Sequence, residues 1–331
     1  MKKKKGKKMK KKKIVLSMLV LLMLVGVSVF QQIIANAAEV KNVVLVHGGW
    51  HGKWSWYNLI DQLEDSGYSV TLVELPAHGN DTTSAWNASA ESYVNKINTA
   101  LQQNSGKSIL VVHGSSSAFA SRSAELNPNK VDKLLFISGV LVKNNECVAS
   151  VLLKDSYSNA LANAKVNLLR GTMSIGSDIV YNTARKGDKM IGESLLGDEP
   201  SKGFMSSIEL GNNFNNIPKY YIQTLQDMSL SFQYQSELLK KVPCNKVYQI
   251  NSGHVPFITN VAEVVSIIDE ISIKTEQGII PRSSRTIIEE EVKVYDDPKI
   301  EELVYGELSG VKEVSLEEYM RIYDSFAEDE D

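Results

Sequence analysis

Ser108–Glu125 reads "SILVVHGSSSAFASRSAE", and this stretch decides the fold. An apolar, β-branched run enters a Gly-Ser-Ser-Ser turn and leaves with helical character. One class of sheet enzymes mounts its nucleophile on such a sharp strand-to-helix corner. Which residue stands on the corner therefore decides what chemistry the chain can carry.

Working outward, "NVVLVHGG" is a continuous apolar run ending in glycines, as expected of a strand buried on both faces of a mostly parallel sheet. "SWYNLIDQLEDSG" then reads as an amphipathic helix stopped by Gly67, followed by a second strand in "YSVTLVELPAHG". "SAESYVNKINTALQQN" has helical spacing, and "SILVV" is the third strand. "KLLFISGV", "PKYYIQTL" and "KVYQINS" supply three more, separated by helical segments. Strands alternating with helices imply crossover connections and a doubly wound, mostly parallel α/β sheet. Residues 145 to 216 break the rhythm: a helical stretch is followed by "GTMSIGSD" and "GNNFNN" with no strong strand. They are expected to form a helical cap over the carboxyl edge of the sheet.

The two ends differ from this body. Ten lysines among the first thirteen residues, the apolar run Ile14–Phe30 and the small residues Ala35–Ala37 have the layout of a signal peptide over residues 1–37. Export to a secreted or cell-surface location is expected, from a bacterium of Gram-positive type. A membrane is a partner only if the leader stays uncleaved. The domain is expected over residues 38–275, and residues 276–331 form an acidic C-terminal extension with seventeen acids against six bases. With the leader removed, the formal charge of -3 becomes about -13, most of it in that tail, so the body is near neutral. A neutral body with an acidic tail offers no electrostatic footprint for nucleic acid. Cys147 and Cys244 could pair in an oxidising compartment or serve as small apolar residues.

Three loops carry candidate chemistry. A buried strand ending in His-Gly-Gly exposes backbone N–H groups that can bind a developing oxyanion, with Gly49 the candidate donor. The same glycines could simply make a tight turn. In "INSGHVPFITNVAEVV", His254 sits between a strand and a helix, and Asp227 in "QTLQDMS" also follows a strand. Both project from the same sheet edge, and an acid that holds an imidazole in one tautomer is the supporting half of a catalytic triad.

The segments "VLVHGGWHGKWSWYNLIDQLEDSGYSVTLVELPAHG", "IPKYYIQTLQDMS" and "VYQINSGHVPFITNVAEVV" resemble the α/β-hydrolase family, in its branch of small esterases related to plant methyl esterases and hydroxynitrile lyases. The resemblance covers residues 40 to 274 and leaves the tail unmatched. It implies an acid and a base at Asp227 and His254, and oxyanion donors at Gly49 and the residue after the nucleophile. No metal and no organic cofactor are implied.

The family's elbow reads Gly-His-Ser-x-Gly-Gly, and this chain departs from it. Alignment without gaps keeps His113 on the family's histidine and puts Gly114, which has no oxygen, on the nucleophile. A rival register places Ser116 there, flanked two residues away by Gly114 and Ala118. It would rotate the following helix by about 200° at about 3.6 residues per turn. Ser115 needs a shift of one only, but then the bulky His113 stands two residues before it. The serines could also merely cap the helix. Trp50 is the tryptophan expected to face the pocket, while Trp54 and Trp56 suit packing of the first helix. Two functions follow: hydrolysis of a small apolar carboxylic ester through a degenerate elbow, or binding of a small ligand or protein partner without turnover.

Overall fold

The computed structural model describes residues 41–273, together with Glu313 and Val314. The expected leader and almost all of the acidic tail lie outside the described residues. The strands in chain order are β1 (Lys41–Val46), β2 (Tyr68–Val73), β3 (Ser108–His113), β4 (Val131–Ile137), β5 (Lys165–Asn167), β6 (Thr172–Ser174), β7 (Glu199–Pro200), β8 (Lys219–Thr224), β9 (Lys246–Ile250) and β10 (Glu313–Val314).

Six of them make the main sheet in the order β2-β1-β3-β4-β8-β9. The β1–β3, β3–β4, β4–β8 and β8–β9 pairings are all parallel. The central strands β1, β3 and β4 read as apolar runs because both faces of the sheet are covered there, whereas the edge strand β9 is largely exposed. Along β1, Val44 and Val46 enter one apolar core while Val43 and Leu45 enter the other. Successive side chains on a strand point to opposite faces, so an uninterrupted valine run is what a sheet covered on both faces requires. Helices Tyr57–Asp65 and Val261–Ser272 contribute Leu59, Leu63, Val264 and Ile268 to one core. Helices Ala90–Gln103, Ser116–Leu126 and Phe232–Lys241 contribute Tyr93, Ile97, Phe119, Tyr234 and Leu238 to the other. The chain is an α/β hydrolase fold by this architecture.

The winding direction reverses between β1 and β3, and the crevice at such a switch point is where open α/β sheets bind ligands. The turns after β1, β3, β8 and β9 all open at that carboxyl edge. Residues 145 to 216 supply short helices above it, and also something the sequence reading did not anticipate. The strands β5, β6 and β7 form a small antiparallel sheet there, with β10 from the tail pairing Glu313 with Asn167 and Val314 with Val166. Strands of two or three residues are too short to show a period of two, so they left no pattern to read. Among the described residues no helix is long and apolar enough to cross a membrane. Cys147 and Cys244 are free thiols. The Sγ of Cys147 accepts from Ser150 N at the start of a cap helix, and burial pushes the Cys244 thiol up to about 12.

Candidate active site

Strand β3 ends at His113 and the next helix begins at Ser116, so the corner between them is Gly114 and Ser115. Gly114 has φ of +54°, a left-handed conformation that glycine adopts without the penalty of a side chain. Its N–H donates to Ile137 O at 3.1 Å and its carbonyl accepts from Val140 N at 3.0 Å, so the end of β4 and the loop after it fix the corner from both sides. A Cβ built on Gly114 would meet His254 Nε2 at 3.5 Å. Glycine thus stands at the strand-to-helix corner, with the direction of its absent Cβ leading to the imidazole. Ser116 is buried in the first helical turn and does not line the cavity. The capping role considered for the triplet is absent at Ser115, whose side chain makes no capping hydrogen bond.

His254 and Asp227 are brought together as expected. His254 Nδ1 donates to Asp227 Oδ2 at 2.8 Å, which leaves Nε2 facing the apex. The carboxylate is otherwise saturated: Oδ2 also accepts from Thr224 Oγ1 at 2.8 Å, and Oδ1 accepts from Ser229 N and Leu230 N at 2.8 and 2.9 Å. A buried carboxylate with every lone pair engaged cannot swing away from the ring, so the tautomer of His254 is fixed by its surroundings.

The turn after β1 faces this pair. Gly49 N–H donates to Ser115 Oγ at 3.0 Å, so the expected oxyanion donor is engaged by the hydroxyl next to the apex. Ser115 makes no hydrogen bond to His254 in this arrangement, yet both border the same cavity. That cavity, of about 40 Å³, is bounded by Gly49, Trp50, His51, Gly114, Ser115 and His254 at the sheet edge, and by Leu152, Met173, Val180 and Phe204 from above. Trp50 lines it as expected, with its indole N–H donating to Met173 O at 3.0 Å. Trp56 instead packs against Phe257 with ring centroids 4.3 Å apart.

Sequence reasoning missed how much of the site's support is imidazole. All five histidines of the chain are buried around these turns. His47 Nδ1 donates to Gly48 O, and its Nε2 accepts from Leu75 N, which fixes a neutral tautomer. Burial, and then the charge of His78, hold its pKa well below the ordinary value. His51 Nδ1 donates to Gly49 O, and burial lowers its pKa to about 3. His113 Nε2 donates to the carbonyl of His254 at 3.0 Å, with its pKa pushed well down by burial and then by His254. His78 is the exception. Both of its nitrogens face acceptors, Pro76 O at 2.9 Å and Glu199 Oε2 at 2.7 Å. Burial opposes its charge, but the Glu199 carboxylate, the Pro76 carbonyl and Glu74 together outweigh burial and raise the pKa. Glu199 could not be found from sequence: it is one acid in a polar cap segment, 121 residues from its histidine. Among the described residues no group of three His, Cys, Asp or Glu side chains could hold a metal ion.

Residues 43–267 match the model of the alpha/beta hydrolase family. The chain is 26% identical over 259 residues to putative methylesterase 11 of Arabidopsis thaliana, covering 73% of this chain and 66% of that protein. It is 27% identical over 252 residues to putative methylesterase 13 of the same plant, covering 71% of this chain and 57% of that one. The chain thus spans roughly three fifths of the length of these relatives. The crystal structure of a methylesterase from Arabidopsis superposes with a TM-score of 0.60 at 19% identity, covering 70% of this chain and 98% of that one. At that identity the likeness speaks for the fold alone. A family match over most of the described residues, in a chain whose sheet order and turn geometry agree with it, leads to one conclusion: this chain belongs to the alpha/beta hydrolase family.

Proposed function

We propose that the chain is an esterase-like hydrolase acting on a small apolar carboxylic ester, and that water, rather than an enzyme hydroxyl, attacks the carbonyl. The observation that carries this reading is Gly114 at the apex, with the direction of its absent Cβ leading to His254 Nε2 at 3.5 Å. A glycine there leaves room for a water-sized nucleophile beside the imidazole, and Asp227 holds that imidazole as a base.

The step balances simply. The water oxygen bonds to the ester carbonyl carbon while one of its protons passes to His254 Nε2, and the carbonyl π pair moves onto oxygen. Ser115 supports that oxyanion: its hydroxyl accepts from Gly49 N–H, so its own hydrogen remains free to donate, and hydroxyls are known oxyanion donors. Collapse breaks the ester C–O bond, and the alcohol leaves with the proton from His254. One ester and one water give one acid and one alcohol. Asp227 steers the imidazole and strengthens the imidazolium without taking its proton.

A second reading has its own support. The Gly49 N–H is already engaged by Ser115 Oγ and the apex carries no oxygen, which suits a protein that holds a small apolar ligand without turning it over. Export, with removal of residues 1–37, is part of the proposal and rests on the leader's sequence.

The test is incubation of the chain with p-nitrophenyl butyrate and with a fluorophosphonate probe. Hydrolysis that disappears in His254→Ala, without labelling of the wild type, is the expected result. Labelling lost in Ser115→Ala would instead assign a covalent serine. No turnover, with saturable binding of the ester's product acid, would leave the ligand-binding reading.

A further inference from the structure

Glu199 lies on β7 in the cap and is 1% exposed. Its Oε2 accepts the Trp50 N–H at 2.9 Å and the His78 Nε2–H at 2.7 Å. The same oxygen stands 2.9 Å from where a Cβ on Gly49 would lie, so only glycine admits the carboxylate this close. Two further bonds tie Trp50 to the cap: Gly197 N–H donates to the Trp50 carbonyl at 2.9 Å, and the indole donates to Met173 O at 3.0 Å. The residue following the candidate oxyanion glycine thus has both backbone polar groups and its side chain bound to cap segments. It needs that hold, because Trp50 has φ of +62°, a region in which a side chain is strained. Stability alone is a weak reason for a charge here, since buried ion pairs are often replaceable by apolar residues. What a carboxylate adds is direction, because one oxygen fixed by an imidazolium fixes the amide that points at it.

We propose that Glu199 is a positioning residue for the oxyanion turn: by holding the Trp50 amide beneath the cap, it sets where the adjoining Gly49 N–H and the Ser115 hydroxyl point. The proposal rests on the esterase reading for its effect on rate, but not for its effect on the turn. His78, which anchors the carboxylate, is faced by Glu199, Glu74, His47 and Tyr93.

The experiment compares wild type, Glu199→Ala and Glu199→Gln by amide hydrogen exchange of a peptide spanning residues 48–52, and by kcat and KM on p-nitrophenyl butyrate. In the alanine variant, exchange is expected to quicken ~10-fold and kcat to fall ~10- to 100-fold with KM nearly unchanged, the scale of a slightly misplaced donor. Glutamine keeps one oxygen that can accept both bonds and is expected to restore exchange and kcat to within ~5-fold of wild type. Exchange unchanged in Glu199→Ala would overturn the proposal, as would faster exchange with kcat unaltered, or a loss carried by KM alone. Should the alanine variant not fold, Glu199→Asp keeps the charge one methylene short of the amide and is read by the same outcomes. If wild type hydrolyses no ester, the esterase reading fails by itself and the exchange measurement alone decides Glu199.

Discussion

At the scale of single residues, the site turns on the difference between a hydrogen and a hydroxymethyl group at position 114. A serine there would accept a left-handed backbone at a cost of roughly 1–2 kcal/mol, which in a domain of this size lowers Tm by a few degrees. Its Cβ would make only an ordinary contact with His254 Nε2 at 3.5 Å. Gly114→Ser is therefore expected to fold, to melt slightly earlier by calorimetry, and to acquire fluorophosphonate labelling that Gly114→Ala does not acquire. A serine variant that folds but stays unlabelled would mean that the imidazole is not poised for this apex. Asp227→Asn tests the other side of the ring. An amide cannot stabilise the imidazolium as a carboxylate does and favours the wrong tautomer, so a fall of at least ~100-fold in kcat is expected. That figure applies to ester hydrolysis followed by p-nitrophenol release. A wild-type rate in Asp227→Asn would remove His254 from the chemistry.

At the scale of elements, the turn after β1 is built by close approach. A Cβ on Gly48 would lie 2.4 Å from His113 Nδ1, and that ring cannot retreat because it bonds the His254 carbonyl and packs edge-on against Phe257, with centroids 4.8 Å apart. Gly48→Ala is expected to cost about 1–3 kcal/mol, the range for overpacking a core, and to lower the urea midpoint measurably. An unchanged midpoint would show that the turn is looser than this. This element also shows what was legible beforehand. The strand, its two glycines, Asp227 and His254 could be read because buried parallel strands are continuous apolar runs and functional loops follow their carboxyl ends. The register at the elbow stayed open among Gly114, Ser115 and Ser116, since the turn is decided by φ at one residue and by which side chain meets His254. Neither quantity is local to the sequence. The cap strands and Glu199 were invisible for a related reason: their partners are tertiary, Trp50 being 149 residues from the acid that binds its amide.

At the scale of the whole molecule, the gathering of histidines around one sheet edge makes folding itself dependent on pH. His47, His51 and His113 are neutral in the folded chain, with pKa values held below the ordinary 6.5, that of His51 at about 3. Groups whose folded pKa is depressed contribute stability that is present above the unfolded pKa and lost as pH falls toward the folded one. Below pH 6.5 the unfolded chain binds protons at these three positions and the folded chain does not, so the stability slope approaches ~4 kcal/mol per pH unit once the unfolded imidazoles are charged. His78 has the opposite sign. Its folded pKa is raised, so its contribution is complete below 6.5 and is lost as pH rises through the folded value; it neither steepens nor offsets the acid limb. Among these four histidines the optimum therefore falls near or just above pH 6.5, with a steep decline toward pH 5, before most carboxylates titrate. Urea midpoints measured at half-unit intervals from pH 7.5 to 5 should trace that decline. His113→Gln places an amide donor near the position of the ring Nε2 that bonds the His254 carbonyl while removing one titrating ring, and it should flatten the slope by about a third. A profile level from pH 6.5 to 5 would mean that these imidazoles take up protons without unfolding the domain, and the neutral tautomers assigned to His47, His51 and His113 would be wrong.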